Sequence, residues 1–307
     1  MNSLKKVTRF KESTRVTQQN AYDLLRRYAK DIPLEDLELI PRQHGGNVVF
    51  YYGKDKMLKV AKNGHRAALI KEAKLAEYLN TQQLPVTLAK SLLVHPKGFY
   101  AVFSRIDGSA LTPESLAGFS ADKLEAIIRS LGNFLSYLHN HPFPHEVLQY
   151  VPKATDPYAV QLKWVRRKIQ FVKEHAAEFD IRGWQERLER LQDCLNQVWA
   201  VTHCDLSLGH LLAVQGNPEQ LAVIDFADAQ IHDPAFDLSE LAIELYSDLP
   251  TDGTMATKIV ELLLKHYKTD DPAVAEKIEF GLLEFEIGRA YQQVRNSVRQ
   301  STGARSA

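Results

Sequence analysis

The sequence predicts an α+β protein of two lobes, a small antiparallel β-rich N-terminal lobe and a larger, mainly helical C-terminal lobe. Three observations predict it. Short apolar and β-branched runs broken by turn residues dominate the first hundred positions. Helical spacing of apolar residues dominates from Thr112 onward. The pattern changes at Ile106-Asp107-Gly108-Ser109, so the lobes are expected at 1–106 and 107–307. A chain of 307 residues, 45% apolar and 25% charged, is long enough to bury its own core and has a globular composition. Lys+Arg and Asp+Glu are both 38, so no net field favours nucleic acid or an anionic membrane. Cys194 and Cys204 are too few for a disulfide framework. The N-terminus lacks an apolar signal-like core, and no apolar stretch approaches the ~20 residues of a membrane helix. A cytoplasmic protein without nucleic-acid or membrane partners is expected.

In order, residues 17–30 read as a helix. Asn47–Tyr52 and Lys56–Ala61 flank Gly53-Lys54-Asp55 and read as a hairpin. Residues 65–79 read as a helix, and Lys90–His95 and Phe99–Ile106 as two strands around Pro96-Lys97-Gly98. Thr112-Pro113 is an N-cap followed by proline at the first helical position, a device repeated at Asp156-Pro157 and Asp271-Pro272. Residues 121–139 place Leu124, Ile127, Ile128, Leu131, Phe134, Leu135 and Leu138 on one stripe. His139 and His141 at its end read as residues favoured by the helix dipole. Trp164, Trp184 and Trp199 read as core. Residues 201–230 break the helical trend with short apolar runs and polar loops, a polar hairpin inside the larger lobe.

That hairpin carries the densest polar cluster: Thr202 to Leu212 (THCDLSLGHLL), then Val223-Ile224-Asp225-Phe226-Ala227-Asp228. Each polar group sits at the edge of an apolar run, where a strand end presents it to a cleft. A hairpin brings His210 and Asp225 together beside Asp205. Such a set suits a divalent cation bridging phosphates, with one carboxylate left to meet a hydroxyl proton.

HCDLSLGH followed by VIDFADAQIHDPAFDLSEL resembles the catalytic and metal segments of aminoglycoside phosphotransferase-like small-molecule kinases, whose pattern is H-x-D-x-x-x-x-N, then I-D-[FW], then D-P-x-x-D. The resemblance covers most of the chain and implies a protein-kinase-like fold. It implies Asp205 as the catalytic carboxylate, Asp225 as a metal ligand, His203 as a brace of the loop and Asp237 as its hydrogen-bonding anchor. His210 stands where the family's asparagine ligand is usual, as in some macrolide kinases and some aminoglycoside 2″-kinases. Mg²⁺ prefers oxygen, although neutral imidazole can ligate a metal. Ala227 replaces the commoner glycine, and Leu208 stands where proline is frequent.

The resemblance also implies a nucleotide clamp in the small lobe. Lys59, in a strand-like run, would neutralise the α/β-phosphates of ATP or GTP and pair with Glu72 in the next helix. His44-Gly45-Gly46-Asn47 occupies the phosphate-loop position, where Gly45 and Gly46 would let backbone N–H groups approach phosphate. Phe103-Ser104-Arg105-Ile106 would offer backbone groups of Ser104 and Ile106 to the base.

No Lys or Arg lies between Leu211 and Thr257, whereas Glu219, Asp225, Asp228, Asp233, Asp237, Glu240, Glu244, Asp248 and Asp252 do. On a helix over 235–247, Asp237, Glu240, Glu244 and Asp248 share one face. A cationic acceptor would relieve their repulsion, which is roughly 0.2–0.5 kcal/mol per pair. Alternatively, the basic run over 153–190 pairs with them. Glu240, Glu244 and, in the segment 284–291, Glu286 are the candidate acceptor contacts. The expected function is transfer of the γ-phosphoryl of ATP or GTP, with Mg²⁺, to a hydroxyl of a small molecule, an aminoglycoside first. Another metabolite or a macrolide, and a non-catalytic nucleotide-binding module, are the alternatives.

Overall fold

A computed structural model describes residues 18–40, 45–217, 219–249 and 253–303. Residue 17, His44 and Asp252 lie outside the described residues. The small lobe starts with helix α1 (Gln18–Tyr28), which buries Ala21 and Leu25. Strands β1 (Leu37–Leu39), β2 (Asn47–Tyr52) and β3 (Lys56–Ala61) follow, then helix α2 (Arg66–Leu79) and strands β4 (Thr87–Leu88), β5 (Ser91–Val94) and β6 (Tyr100–Ser104). Gly53, at φ +62°, supplies the left-handed residue that closes the expected β2–β3 hairpin, with Val49 opposite Lys59. The sheet is antiparallel, in the order β1-β2-β3-β6-β5.

Alternation along β3 decides where the chemistry goes. Leu58 and Val60 face one side, with Val48, Phe50 and the α1 residues Ala21 and Leu25. Ala61 faces the other, with Ala101, Phe103 and the α2 residues Leu69 and Ala73. A period of two therefore sends Lys59 to the α2 side.

The chain then crosses to the large lobe: β7 (Gly108–Ala110), α3 (Pro113–Ala117), α4 (Ala121–Asn140), α5 (His145–Leu148), α6 (Pro157–His175), α7 (Ile181–Gln192), β8 (Ala200–Thr202), β9 (Leu211–Val214), β10 (Leu221–Val223), β11 (Gln230–His232), α8 (Ala235–Asp248), α9 (Thr254–His266) and α10 (Val274–Gly303). The Thr112 hydroxyl accepts Ser115 N–H at 3.1 Å while Ser115 Oγ accepts Thr112 N–H at 2.9 Å, a capping box that starts α3. Asp156 caps α6 through Ala159 N–H. Asp271-Pro272 departs from the expected device. The helix begins at Val274, and Asp271 takes Ala273 N–H with one oxygen and Lys277 Nζ with the other.

The whole predicted α4 stripe is buried, against Leu241 and Leu245 of α8 and Ile259 and Leu263 of α9. A second core joins α6, α7 and α10 through Val165, Ile169, Trp184, Leu188, Phe280 and Leu283. Trp184 alone of the three tryptophans is core; Trp164 and Trp199 are exposed, each close to a cation, Arg167 and Lys153 respectively. The polar hairpin resolves into two antiparallel pairs, β9 with β10 and β8 with β11. Sheet β4-β10-β9-β7 holds one surprise. Thr87-Leu88, from the small-lobe half of the sequence, pairs in parallel with Ala222-Val223.

Candidate active site

Lys59 and Glu72 meet as the β3 alternation requires, at 2.6 Å with both side chains buried. Lys59 Nζ also lies 3.1 Å from Asp225 Oδ1, across 166 positions of sequence. Burial alone would lower the Lys59 pKa, but Glu72 and Asp225 outweigh it and hold the ammonium charged, above the ordinary lysine range. Burial works against the charged form of Asp225 too. Lys59 outweighs it and holds the carboxyl at about 2. The residue before Glu72 in α2 ties the lobes as well: buried Lys71 donates to Ala229 O at 2.5 Å, four residues past Asp225.

Opposite lies the loop His203–Leu208, held by α8. Asp237, wholly buried, accepts the N–H groups of His203 and Cys204, each at 2.8 Å. Glu240 accepts Leu206 N–H at 3.2 Å, and Glu244 accepts Leu208 N–H at 2.6 Å. Spacing of three and four residues puts these carboxylates on one helix face, a ladder matched to the amides of the loop. His203 is buried, with Nε2 2.9 Å from Ile224 O, and burial lowers its pKa, so it braces the loop as a neutral ring. Cys204 (φ +60°) and Asp225 (φ +69°) adopt the left-handed conformation that side chains other than glycine rarely take, one on each side of the site.

His210 Nδ1 lies 2.6 Å from the carbonyl oxygen of Asp205, so Nδ1 carries the proton and Nε2 presents a lone pair. That Nε2 faces Asp225 Oδ2 at 3.9 Å. Among the described residues no group of three His, Cys, Asp or Glu gathers as a metal cluster. The His210–Asp225 pair, an imidazole beside a carboxylate kept ionised, offers two donors that would suit a divalent cation.

Gly45 (φ +75°) and Gly46 follow β1 and precede β2, and Gly45 O accepts from Lys62. A Cβ on Gly46 would sit 2.1 Å from the His65 ring. In the connector, Ser104 N–H donates to Lys90 O and its hydroxyl accepts Lys90 N–H, so Ser104 is engaged with β5's lead-in. Ile106 is half-buried, and among the described residues its backbone makes no hydrogen bond.

Asp205 lines a cavity of about 400 Å³ whose walls also carry Glu240, Glu244 and Asp248 of α8 and Phe280, Glu284 and Phe285 of α10. Glu286 is not part of it. Its carboxylate takes Trp184 Nε1 at 2.6 Å and Arg187 at 2.7 Å, on the α7 side. Two buried groups escaped the sequence. His139 bridges Asp237 (3.1 Å) and Tyr267 (2.9 Å), so it anchors the loop's anchor rather than merely ending a helix. Lys277 binds Asp233 at 2.9 Å and Asp271 at 2.6 Å on the cavity floor.

The chain matches the model of the phosphotransferase enzyme family over residues 41–276. No curated protein matches it in sequence. Among solved structures it is similar to the GDP complex of wild-type aminoglycoside 2'-phosphotransferase-IIIa, at 17% identity, over 92% of this chain and 93% of that one, with a TM-score of 0.67. The macrolide 2'-phosphotransferase MphH from Brachybacterium faecium is 21% identical over 92% of both chains, with a TM-score of 0.57. A choline/ethanolamine kinase family protein from Mesorhizobium loti is 17% identical over 92% of this chain and 87% of that one, with a TM-score of 0.54. The two-lobed fold is the one expected. No helix among the described residues is long and apolar enough to cross a membrane.

Proposed function

The chain belongs to the phosphotransferase enzyme family, and from that premise we propose that it moves the γ-phosphoryl of ATP or GTP to a hydroxyl of a small molecule. One observation carries the reading: an unbroken series of contacts runs from the cavity to the small-lobe cation. Asp205 lines the cavity, its carbonyl fixes His210, His210 faces Asp225, and Asp225 meets Lys59. Residues 1–106 are read as the nucleotide-clamping lobe and 107–307 as the catalytic and acceptor-binding lobe.

Lys59, held charged by Glu72, would neutralise the α/β-phosphates. Gly45-Gly46 amides would cover the phosphates, and the backbone at Ile106, more than at the engaged Ser104, would meet the base. Mg²⁺ bound by His210 and Asp225 would supply charge neutralisation at the phosphate oxygens. The Asp205 carboxylate accepts the acceptor's hydroxyl proton as that oxygen bonds to the γ-phosphorus. The bond from phosphorus to the bridging oxygen breaks, and the nucleoside diphosphate leaves with that oxygen. The ladder on α8 and the buried His139–Asp237 pair hold Asp205 in place, so catalysis is mainly positioning and charge neutralisation.

Two acceptor classes are candidates. Polyamino sugars such as aminoglycosides, with antibiotic resistance as the consequence, are favoured by the resemblance. A macrolide or another small metabolite is favoured by the aromatic cavity wall. Replacing Asp205 with Ala tests the reading: diphosphate release should fall at least ~10²-fold, the scale of general-base catalysis, while Mg²⁺-nucleotide binding measured by calorimetry persists. Near-wild-type turnover would refute the role. Nucleotide binding by the wild type without turnover of any acceptor would favour a non-catalytic module.

A further inference from the structure

We infer that the acceptor is an amphipathic amine, an alcohol on an apolar body with a single ammonium near the reacting hydroxyl, rather than a polycation. The inference rests on the phosphotransferase reading. Its warrant is that the cavity beside Asp205 has two unlike walls. From α8 come the carboxylates Glu240, Glu244 and Asp248, with Phe236 and Ile243 among them, and from α6 and α10 the rings of Tyr158, Phe280 and Phe285.

The carboxylates cannot follow a ligand round the cavity. Glu240 and Glu244 are pinned by the N–H groups of Leu206 and Leu208. Charge on the far wall is already compensated within the protein. Glu284 lies 3.6 Å from Lys168, and Lys277 is clasped between Asp233 and Asp271. Glu286, the further carboxylate that a polycation would need there, is bound to Trp184 and Arg187 outside the cavity. Negative charge therefore lines one side only.

A polyamino sugar carries ammonium groups around its whole outline. Seated here, some would face the aromatic wall, stripped of water and without a counter-charge, which is costly. One ammonium beside α8 and an apolar body against the rings satisfies both walls. The volume of about 400 Å³ is near the lower end of the roughly 300–1,000 Å³ of ligand pockets, room for a bicyclic ring and a short amino alcohol.

Three probes separate the alternatives by calorimetry on the full chain saturated with ADP and Mg²⁺: a naphthyloxy-propanolamine, the matching naphthyloxy-propanediol without the amine, and a pseudodisaccharide with four amines. The propanolamine should bind at least tenfold more tightly than either other probe. A tetra-amine that binds as tightly or more tightly overturns the inference. So does a diol equal to the amine, or equally weak binding of all three. Phe285→Ser, at a half-buried position, should weaken the propanolamine about tenfold and leave the tetra-amine within twofold. Phe285→Asp, which puts a carboxylate on the aromatic wall of the cavity, should narrow the gap by strengthening the tetra-amine. The ADP–Mg²⁺ titration is made first. Its failure would undo the phosphotransferase reading, whereas intact ADP binding with a tetra-amine preference undoes only the acceptor.

Discussion

His210 and Asp205 are joined through the backbone: the imidazole Nδ1 sits 2.6 Å from the Asp205 carbonyl oxygen. One contact thus sets the tautomer of a candidate metal ligand and the position of the candidate base. His210→Asn should keep turnover, because an amide oxygen can take the place of Nε2. It should also shift the metal preference from Mn²⁺ toward Mg²⁺, the harder ion. His210→Ala should raise the metal concentration for half-maximal rate about tenfold or more. Metal titrations of the rate check both, and an alanine variant with unchanged metal dependence would contradict the assignment.

Lys59→Met should leave Glu72 buried without its cation and destabilise the fold by about 3–5 kcal/mol, the usual result of halving a buried pair. Lys59→Met combined with Glu72→Leu should recover most of that loss and none of the activity. Urea unfolding and diphosphate release, run on both proteins, separate the two roles. An active double variant would remove Lys59 from the mechanism.

Asp237 gives the fold an acid limit. Burial works against its charge, yet His139, with a smaller contribution from the hydrogen bond of the His203 backbone N–H, holds its carboxyl below the ordinary 3.8. A group whose folded pKa is depressed stabilises at pH above 3.8 and loses that contribution as the pH falls through the folded value. Asp237→Asn should therefore be less stable near neutrality and show a flatter decline in acid. Melting temperature against pH checks this, and parallel curves for the two proteins would contradict it.

Gly281 is required by the approach of α10 to α8. A Cβ there would lie 2.6 Å from Ser239 Cβ and 2.7 Å from its Oγ. Gly281→Ala should cost about 1–3 kcal/mol through overpacking. Adding Ser239→Gly should restore most of it, and denaturant unfolding of the single and double variants measures the coupling.

Much of this was legible along the chain, for a physical reason. The resemblance paired Lys59 with Glu72, a pairing that the β3 alternation then permits, and the motif residues Asp205, His210 and Asp225 lie in or beside one short hairpin, where local spacing dictates proximity. What stayed hidden depends on partners far away in sequence. His139 meets Asp237 98 positions on, and Lys277 meets Asp233 44 positions back. Periodicity identifies a buried face but not the polar group it will meet. Glu286 was chosen for its charge, but two residues on a helix turn the side chain by about 200°. The cavity therefore receives Glu284 and Phe285 instead. Thr87-Leu88 is too short to show any alternation.

That two-residue strand has a mechanical consequence. Its parallel pairing with Ala222-Val223, reinforced by the 2.7 Å bond from Gln220 to Thr87, is a second main-chain tie between halves already joined at Ile106 and bridged by the side chains of Lys59 and Lys71. A body tethered at one point can swing about any axis through it. Once its side-chain bridges part, a body held by main chain at two keeps easy rotation only about the line between them, as a door does on a pair of hinge pins.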